Sequence, residues 1–238
     1  MKPIEDIWVY LATTPLLHLT LTLVAYSIGE TLYERLGRLP ILNPVLLAVI
    51  ALAGLLIATD TSYAAYFEGA QFVHFLLGPA TVALAIPLYR QIERVRKSAL
   101  PLVAAICAGS TTAIASALVL TWVAGADLPI IATVTPKSAT TPVAMAIAEG
   151  IGGLPSLTAV MVILTGIVGA TLGPPLLSLM RVTDEAARGV ALGTASHGIG
   201  TARAMAGSDI QGAFSGLAMG LNALATTLLV PLIWLLLS

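Results

Sequence analysis

TVTPKSATTPVAMAIAEG (residues 133–150) and GTASHGIGTARAMAGSD (193–209) interrupt a chain of 238 residues that is 58% hydrophobic. The first is rich in Thr, with Pro136, Pro142 and Lys137; the second is rich in Gly, Ser and Thr, with His197 and Arg203. How the backbone passes through them decides the fold, because the segments around them are apolar enough for lipid. Charged residues make up 10% of the chain, against roughly 25% in soluble domains. Composition therefore assigns an all-α polytopic membrane protein built as one membrane domain.

Six apolar runs approach or exceed the roughly 17 to 25 residues that cross a bilayer core: 7–28, 41–58, 70–89, 99–123, 155–180 and 212–237. The first lacks a basic leader and a small-x-small cleavage site, and reads as a retained span. Basic residues collect on the cytoplasmic side. Arg35 and Arg38, then Arg90, Arg94, Arg96 and Lys97, then Arg181 and Arg188 mark three inside loops. Segments holding Asp60 with Glu68, Asp127, Glu149 and Asp209 lack nearby Lys or Arg and are expected outside. For 155–180 to deliver Arg181 inside, both ends of 130–148 must lie outside, so that segment dips in and returns as a re-entrant hairpin. A second hairpin, 188–206, is expected to enter from inside, which puts Trp8, Trp122 and Trp234 at outer span ends as an aromatic belt.

A shift of sixty residues aligns Lys137 with His197, Thr141 with Thr201, and Ala144, Met145 and Ala146 with Ala204, Met205 and Ala206. Glu149 then meets Asp209, Gly152 meets Gly212 and Leu157 meets Leu217. Each copy is a polar hairpin followed by a long span, and the topology inverts the second copy relative to the first, as in secondary transporters. Residues 1–124 are expected to form scaffold and oligomerisation helices, and 125–238 a transport core.

Thr141 before Pro142 reads as an N-cap ahead of the residue best suited to the first helical position. Thr201 opens a matching short helix after the flexible Gly198 and Gly200, and Pro136 and Pro142 shape the first break. Two half-helix N-termini near the bilayer centre, with Lys137 and Arg203, make an anion site. A cation at that depth costs at least ~2.5 to 3.5 kcal/mol on insertion scales. The plainer readings are that Lys137 snorkels or pairs with Glu149, that Arg203 pairs with Asp209, and that His197 packs. Ser138, Thr140, Thr194 and Ser196 satisfy backbone groups in the plainer reading. His18 reads as structural, Asn43 before Pro44 as a helix start, and Asp184 with Glu185 as first-turn acids.

The single cysteine, Cys107, excludes an internal disulfide and a cysteine metal cluster. His18, His74 and His197 are scattered, so no metal or cofactor is expected. The chain shows no catalytic motif of a hydrolase or metalloenzyme, and no basic-aromatic pattern for nucleic acid.

PKSATTPVAMA (136–146) and ARGVALGTASHGIGTARAM (187–205), with LNPVLLA (42–48) and PLYRQIERVR (87–96), resemble the LrgB/CidB family of bacterial membrane proteins over nearly the whole chain. The resemblance implies a multi-pass protein of the bacterial plasma membrane. It also implies a small LrgA/CidA-like membrane partner, because plant relatives, which are plastid glycolate/glycerate translocators, fuse such a domain ahead of this one. Family members have been described as antiholin-like regulators of murein hydrolase export and autolysis, and others are tied to pyruvate uptake. Lys137, Ser138, Thr140, Thr141, Pro142, Ser196, His197, Gly198, Gly200, Thr201 and Arg203 match its motifs. The leading expectation is a homodimeric secondary transporter of small monocarboxylates such as glycolate, glycerate, lactate or pyruvate. Lys137 with the Thr140/Thr141 cap would hold the carboxylate, while Ser196, His197 and Thr201 face the rest of the substrate. His197, Glu149 and Asp209 are candidates for proton coupling. The alternative is an antiholin-like regulator acting through membrane oligomers.

Overall fold

A computed structural model of the chain describes residues 15–37, 42–76, 79, 82–83 and 85–237, and is all-helical over them. The chain forms two compact units, residues 1–83 and 84–238.

In the first unit, α1 (Pro15–Arg35) packs on α2 (Pro44–Ala58) and α3 (Tyr63–Phe75). Asn43 starts α2 as expected, its side chain accepting from the N–H groups of Val45 and Leu46. Gly29 lets α1 approach α2, since a β-carbon there would stand 2.9 Å from the Pro44 carbonyl oxygen. Thr22 Oγ1 and Tyr66 Oη lie 2.8 Å apart, and the buried His18 ring meets the Tyr66 ring edge-on at 5.8 Å. The expected first run begins at residue 7, and its residues 7–14, Trp8 included, fall outside the described residues, as does Arg38. Of the expected run 70–89, residues 70–75 fall in α3, which starts at Tyr63, Leu76 is a turn, and residues 77, 78, 80, 81 and 84 lie outside the described residues.

The second unit comprises α4 (Ala85–Arg90), α5 (Ile92–Lys97), α6 (Ala99–Val123), α7 (Leu128–Val134), α8 (Thr141–Gly150), α9 (Pro155–Leu179), α10 (Glu185–Met205) and α11 (Asp209–Leu237). Among the described residues, three helices are long and apolar enough to cross a membrane, and they are α6, α9 and α11. Six spans were expected, and α2, at 15 residues, is apolar but short of a full crossing. Buried Leu102 and Ile106 of α6 pack on Phe214 and Ala218 of α11, and nearer the other end Ile114 meets Ile147 and Val230.

Residues 128–154 double back. Asp127 caps α7 by accepting from the Ile130 N–H at 3.2 Å, and the helix lasts seven residues. Turns over 135–139 follow, then the ten-residue α8. Neither helix is long enough for a bilayer core of about 30 Å at ~1.5 Å per residue. The chain that leaves α8 returns to α7: the Leu154 N–H donates to Thr133 Oγ1 at 2.8 Å, and Thr158 Oγ1 donates to the Thr133 carbonyl at 3.0 Å. Gly153 is needed there, because a β-carbon would stand 2.8 Å from the Thr133 nitrogen. A full crossing between 128 and 154 would hold these groups far apart.

Helix α10 also reverses, although its hydrogen bonding is nearly continuous. His197 sits at φ 41°, ψ −130°, outside helical geometry. The contacts with α11 run forward and then back. Gly189 lies against the Gln211 carbonyl and Gly193 against the Ser215 carbonyl, and past the break Thr201 Oγ1 meets Ser215 Oγ at 3.0 Å and Met205 lies against Gly212. Within the hairpin, a β-carbon on Gly200 would stand 2.5 Å from the Leu192 carbonyl oxygen, a position a straight helix would place turns away. The first arm is therefore 185–196 and the second 198–205.

This reversal corrects one expected position. Asp209 was assigned to the outside, yet it reaches Arg90 at 3.9 Å, while Asp184 at the other end of the hairpin reaches Arg94 at 3.4 Å. Both ends thus lie on the basic face, because a hairpin must leave where it entered. Asp184 also caps α10, accepting from the Ala187 N–H at 2.8 Å. Arg188 donates to the Val182 and Pro174 carbonyls, placing a cation at the C-terminal end of α9 where the helix dipole favours one.

Candidate functional site

The two hairpin tips are held by the span belonging to the other half. At the first tip, Asn222 of α11 donates through Nδ2 to the Ser138 carbonyl at 2.7 Å and accepts through Oδ1 from Ser110 Oγ of α6 at 2.6 Å. At the second tip, His197 Nε2 lies 2.8 Å from the Val162 carbonyl of α9. A carbonyl only accepts, so Nε2 carries the proton and Nδ1 is where the ring would take a second one. The ring fits because α9 has Gly166 opposite, where a β-carbon would stand 2.5 Å from His197 Cε1. Val162 and Asn222 stand sixty residues apart, as do Lys137 and His197.

A positive φ on a residue other than glycine costs about 1 to 3 kcal/mol and persists only where the surroundings enforce it. The bond to Val162 and the close packing on α9 supply that constraint at His197. Thr201 Oγ1 donates back to the His197 carbonyl at 2.8 Å, so Thr201 sits one turn into the second arm rather than opening it. The expected helix start is thus moved to residue 198, since the break falls on His197 itself. Likewise Thr140, not Thr141, is the N-cap of α8, and it makes no side-chain cap bond, with Thr141 and Pro142 forming the first helical positions.

A cavity of about 760 Å³ lies between α6, the first arm of α10 and the first tip. Its lining includes Ser98 and Asp184, at the basic face, and it also reaches Lys137 and Ser138. One wall is the small-residue face of α6 with Ala105, Ala108 and Gly109, and the opposite wall is Val190, Ala191, Thr194 and Ala195. Gly109 sets the spacing, since a β-carbon there would stand 2.9 Å from the Thr194 methyl. Walls of this kind add few competing hydrogen bonds, and among the described residues the half-buried Lys137 is the one basic side chain lining the cavity.

Of the residues singled out from sequence, Lys137 and Ser138 line this cavity. Pro136 is fully buried under them, and Thr140, Thr141 and Pro142 continue from the tip into α8. Ser196, His197 and Gly200 are buried around the second tip and Gly198 is exposed there. Arg203 is half-buried on the second arm, six residues past the tip, and does not line the cavity. Glu149 is exposed at the end of α8, and Asp209 is at the basic face beside Arg90. Neither lies at a tip. Asn222 and Ser110 were missed; a lone amide inside the apolar run 212–237 was the available signal for the first. Thr194 lines the cavity and its hydroxyl has no hydrogen-bond partner. Among the described residues, no group of three His, Cys, Asp or Glu side chains could hold a metal.

The profile of the LrgB-like family matches residues 22–236. The chain is 38% identical over 216 residues to the uncharacterized protein YxaC of Bacillus subtilis (strain 168), covering 90% of this chain and 94% of that one. It is also 38% identical over 214 residues to YwbG of the same organism, with coverage of 90% and 94%. A third relative, the antiholin-like protein LrgB of Bacillus mycoides (strain KBAB4), is 30% identical over 219 residues, covering 92% of this chain and 95% of that one. No solved structure gives a significant match.

Proposed function

The chain belongs to the LrgB-like family, and from that premise we propose that this helical membrane protein is a secondary transporter of small monocarboxylates. The observation that carries the reading is Lys137 beside a hairpin tip, lining a largely apolar cavity that extends to Asp184 on the basic face. A cation kept at that depth must be compensated, and a carboxylate entering past Arg94 supplies the compensation. The α8 N-terminus, uncapped by side chains, adds a favourable dipole beside it.

The paired tips support an inverted repeat. Lys137–Ser138 against Asn222 and His197 against Val162 are matching positions in two halves sixty residues apart. In this reading residues 125–238 rock or slide against the helices before them, and the gap between α6 and α10 is the path used on the basic side. The cavity, at about 760 Å³, is several times the volume of a two- or three-carbon acid. The proposed setting is the bacterial plasma membrane, with a homodimer and a small LrgA/CidA-like protein as candidate partners.

The comparisons favour the second reading, an antiholin-like regulator, because relatives carry that name; action through membrane oligomers is part of that proposal. The two readings part in one experiment. The purified chain in liposomes is offered a panel of labelled 2-hydroxy and 2-oxo acids, with and without a pH gradient. Saturable uptake of one of them supports transport. Silence across the panel, with a lysis phenotype that survives loss of Lys137, supports the regulator.

A further inference from the structure

We propose that Asn222 is the positioning residue that sets where Lys137 stands in the cavity; this rests on reading Lys137 as the partner of the carboxylate. Asn222 is 1% exposed within the apolar α11. A buried amide is tolerated there only when its groups are paired. Its partners lie 84 and 112 residues away, at the first tip and on α6. The orientation is fixed by chemistry, since the Ser138 carbonyl needs a donor and Ser110 Oγ can donate to Oδ1.

The first tip needs such a tether. Between Val134 and Thr141 the backbone is held locally by two turn hydrogen bonds, Lys137 N–H to Val134 and Ala139 N–H to Pro136. The Ser138 carbonyl lies outside both helices, and Asn222 Nδ2 is its partner. Lys137 is the residue before it, so moving Ser138 moves the ammonium. Asn222 itself does not line the cavity, which separates positioning from contact with the ligand. Ser110 extends the link to the wall opposite α10, so the tip is registered against that wall through one amide.

The test uses the full chain in liposomes, with the transported acid identified from the panel, and in parallel a Lys137→Cys, Cys107→Ala version labelled by a charged methanethiosulfonate. Asn222→Leu is expected to raise KM about tenfold at equal reconstituted amount with maximal rate within about twofold, the scale of one lost charge-linked hydrogen bond. It is expected to change the labelling rate at position 137 by about fivefold or more. Ser110→Ala, which keeps the bond to Ser138, should shift both in the same direction by about two- to threefold, and serves if Asn222→Leu does not fold. Unchanged KM and unchanged labelling, or loss of maximal rate with protein amount at constant KM, would overturn the proposal. A shift in labelling without any carboxylate uptake by the parent chain would sink the transport reading and leave the positioning intact.

Discussion

Two glycines on the second hairpin, five positions apart, separate a reversed α10 from a straight one. At Gly193 a β-carbon would overlap the Ser215 carbonyl of α11, whereas at Gly198 nothing lies within 4 Å. Gly193→Ala must therefore push the first arm off α11, a strain of about 1 to 3 kcal/mol for a methyl forced into a packed contact. Gly198→Ala meets no neighbour, and alanine in place of glycine in a helix gains about 0.5 to 1 kcal/mol. A unit of this size shifts its apparent Tm by about 2 to 4 °C per kcal/mol. The expected result in detergent, followed by tryptophan fluorescence or thermal aggregation, is a fall of about 2 to 12 °C for Gly193→Ala and a rise of about 1 to 4 °C for Gly198→Ala. Equal shifts, or a neutral Gly193→Ala, would mean that the arm before His197 does not lie along α11, and the reversal would be lost with it.

Thr133→Val should lower the apparent Tm by about 2 to 12 °C, because Thr133 Oγ1 accepts the Leu154 N–H and losing a partner of a group removed from water costs about 1 to 3 kcal/mol; a shift within 1 °C would show that the first hairpin closes elsewhere. Cysteines placed at Asp184 and Asp209 in a Cys107→Ala background should react with a membrane-impermeant thiol reagent from the same side, the side of Arg90. Labelling from opposite sides would show that α10 crosses the membrane.

The two polar segments were legible in sequence for a physical reason. Polar segments broken by proline or glycine within a lipid-soluble chain are expensive, and loop charges left residues 130–148 no room to cross. The break points were harder. Gly198 and Gly200 signalled flexibility, yet the positive φ falls on His197, imposed by the Val162 bond to a helix thirty-five residues earlier. Asp209 was placed by counting local charge, which cannot register Arg90 reaching it from across the unit. Asn222 stood out only as a lone amide in an apolar run and Ser110 not at all, and their long-range partners reveal the tether. The start of α3 at Tyr63 was hidden because Tyr63, Tyr66 and Glu68 dilute the hydropathy of a helix that its packing on α1 sustains.

The account turns on whether the Lys137 ammonium receives a carboxylate. Initial-rate uptake of the labelled acid into liposomes, compared between the parent chain and Lys137→Ala at matched protein amount, measures this most directly. A charge-assisted hydrogen bond of about 1.5 to 3 kcal/mol predicts a fall in uptake efficiency of about 10- to 150-fold, with partial recovery in Lys137→Arg. Saturable uptake that is undiminished in Lys137→Ala would contradict it.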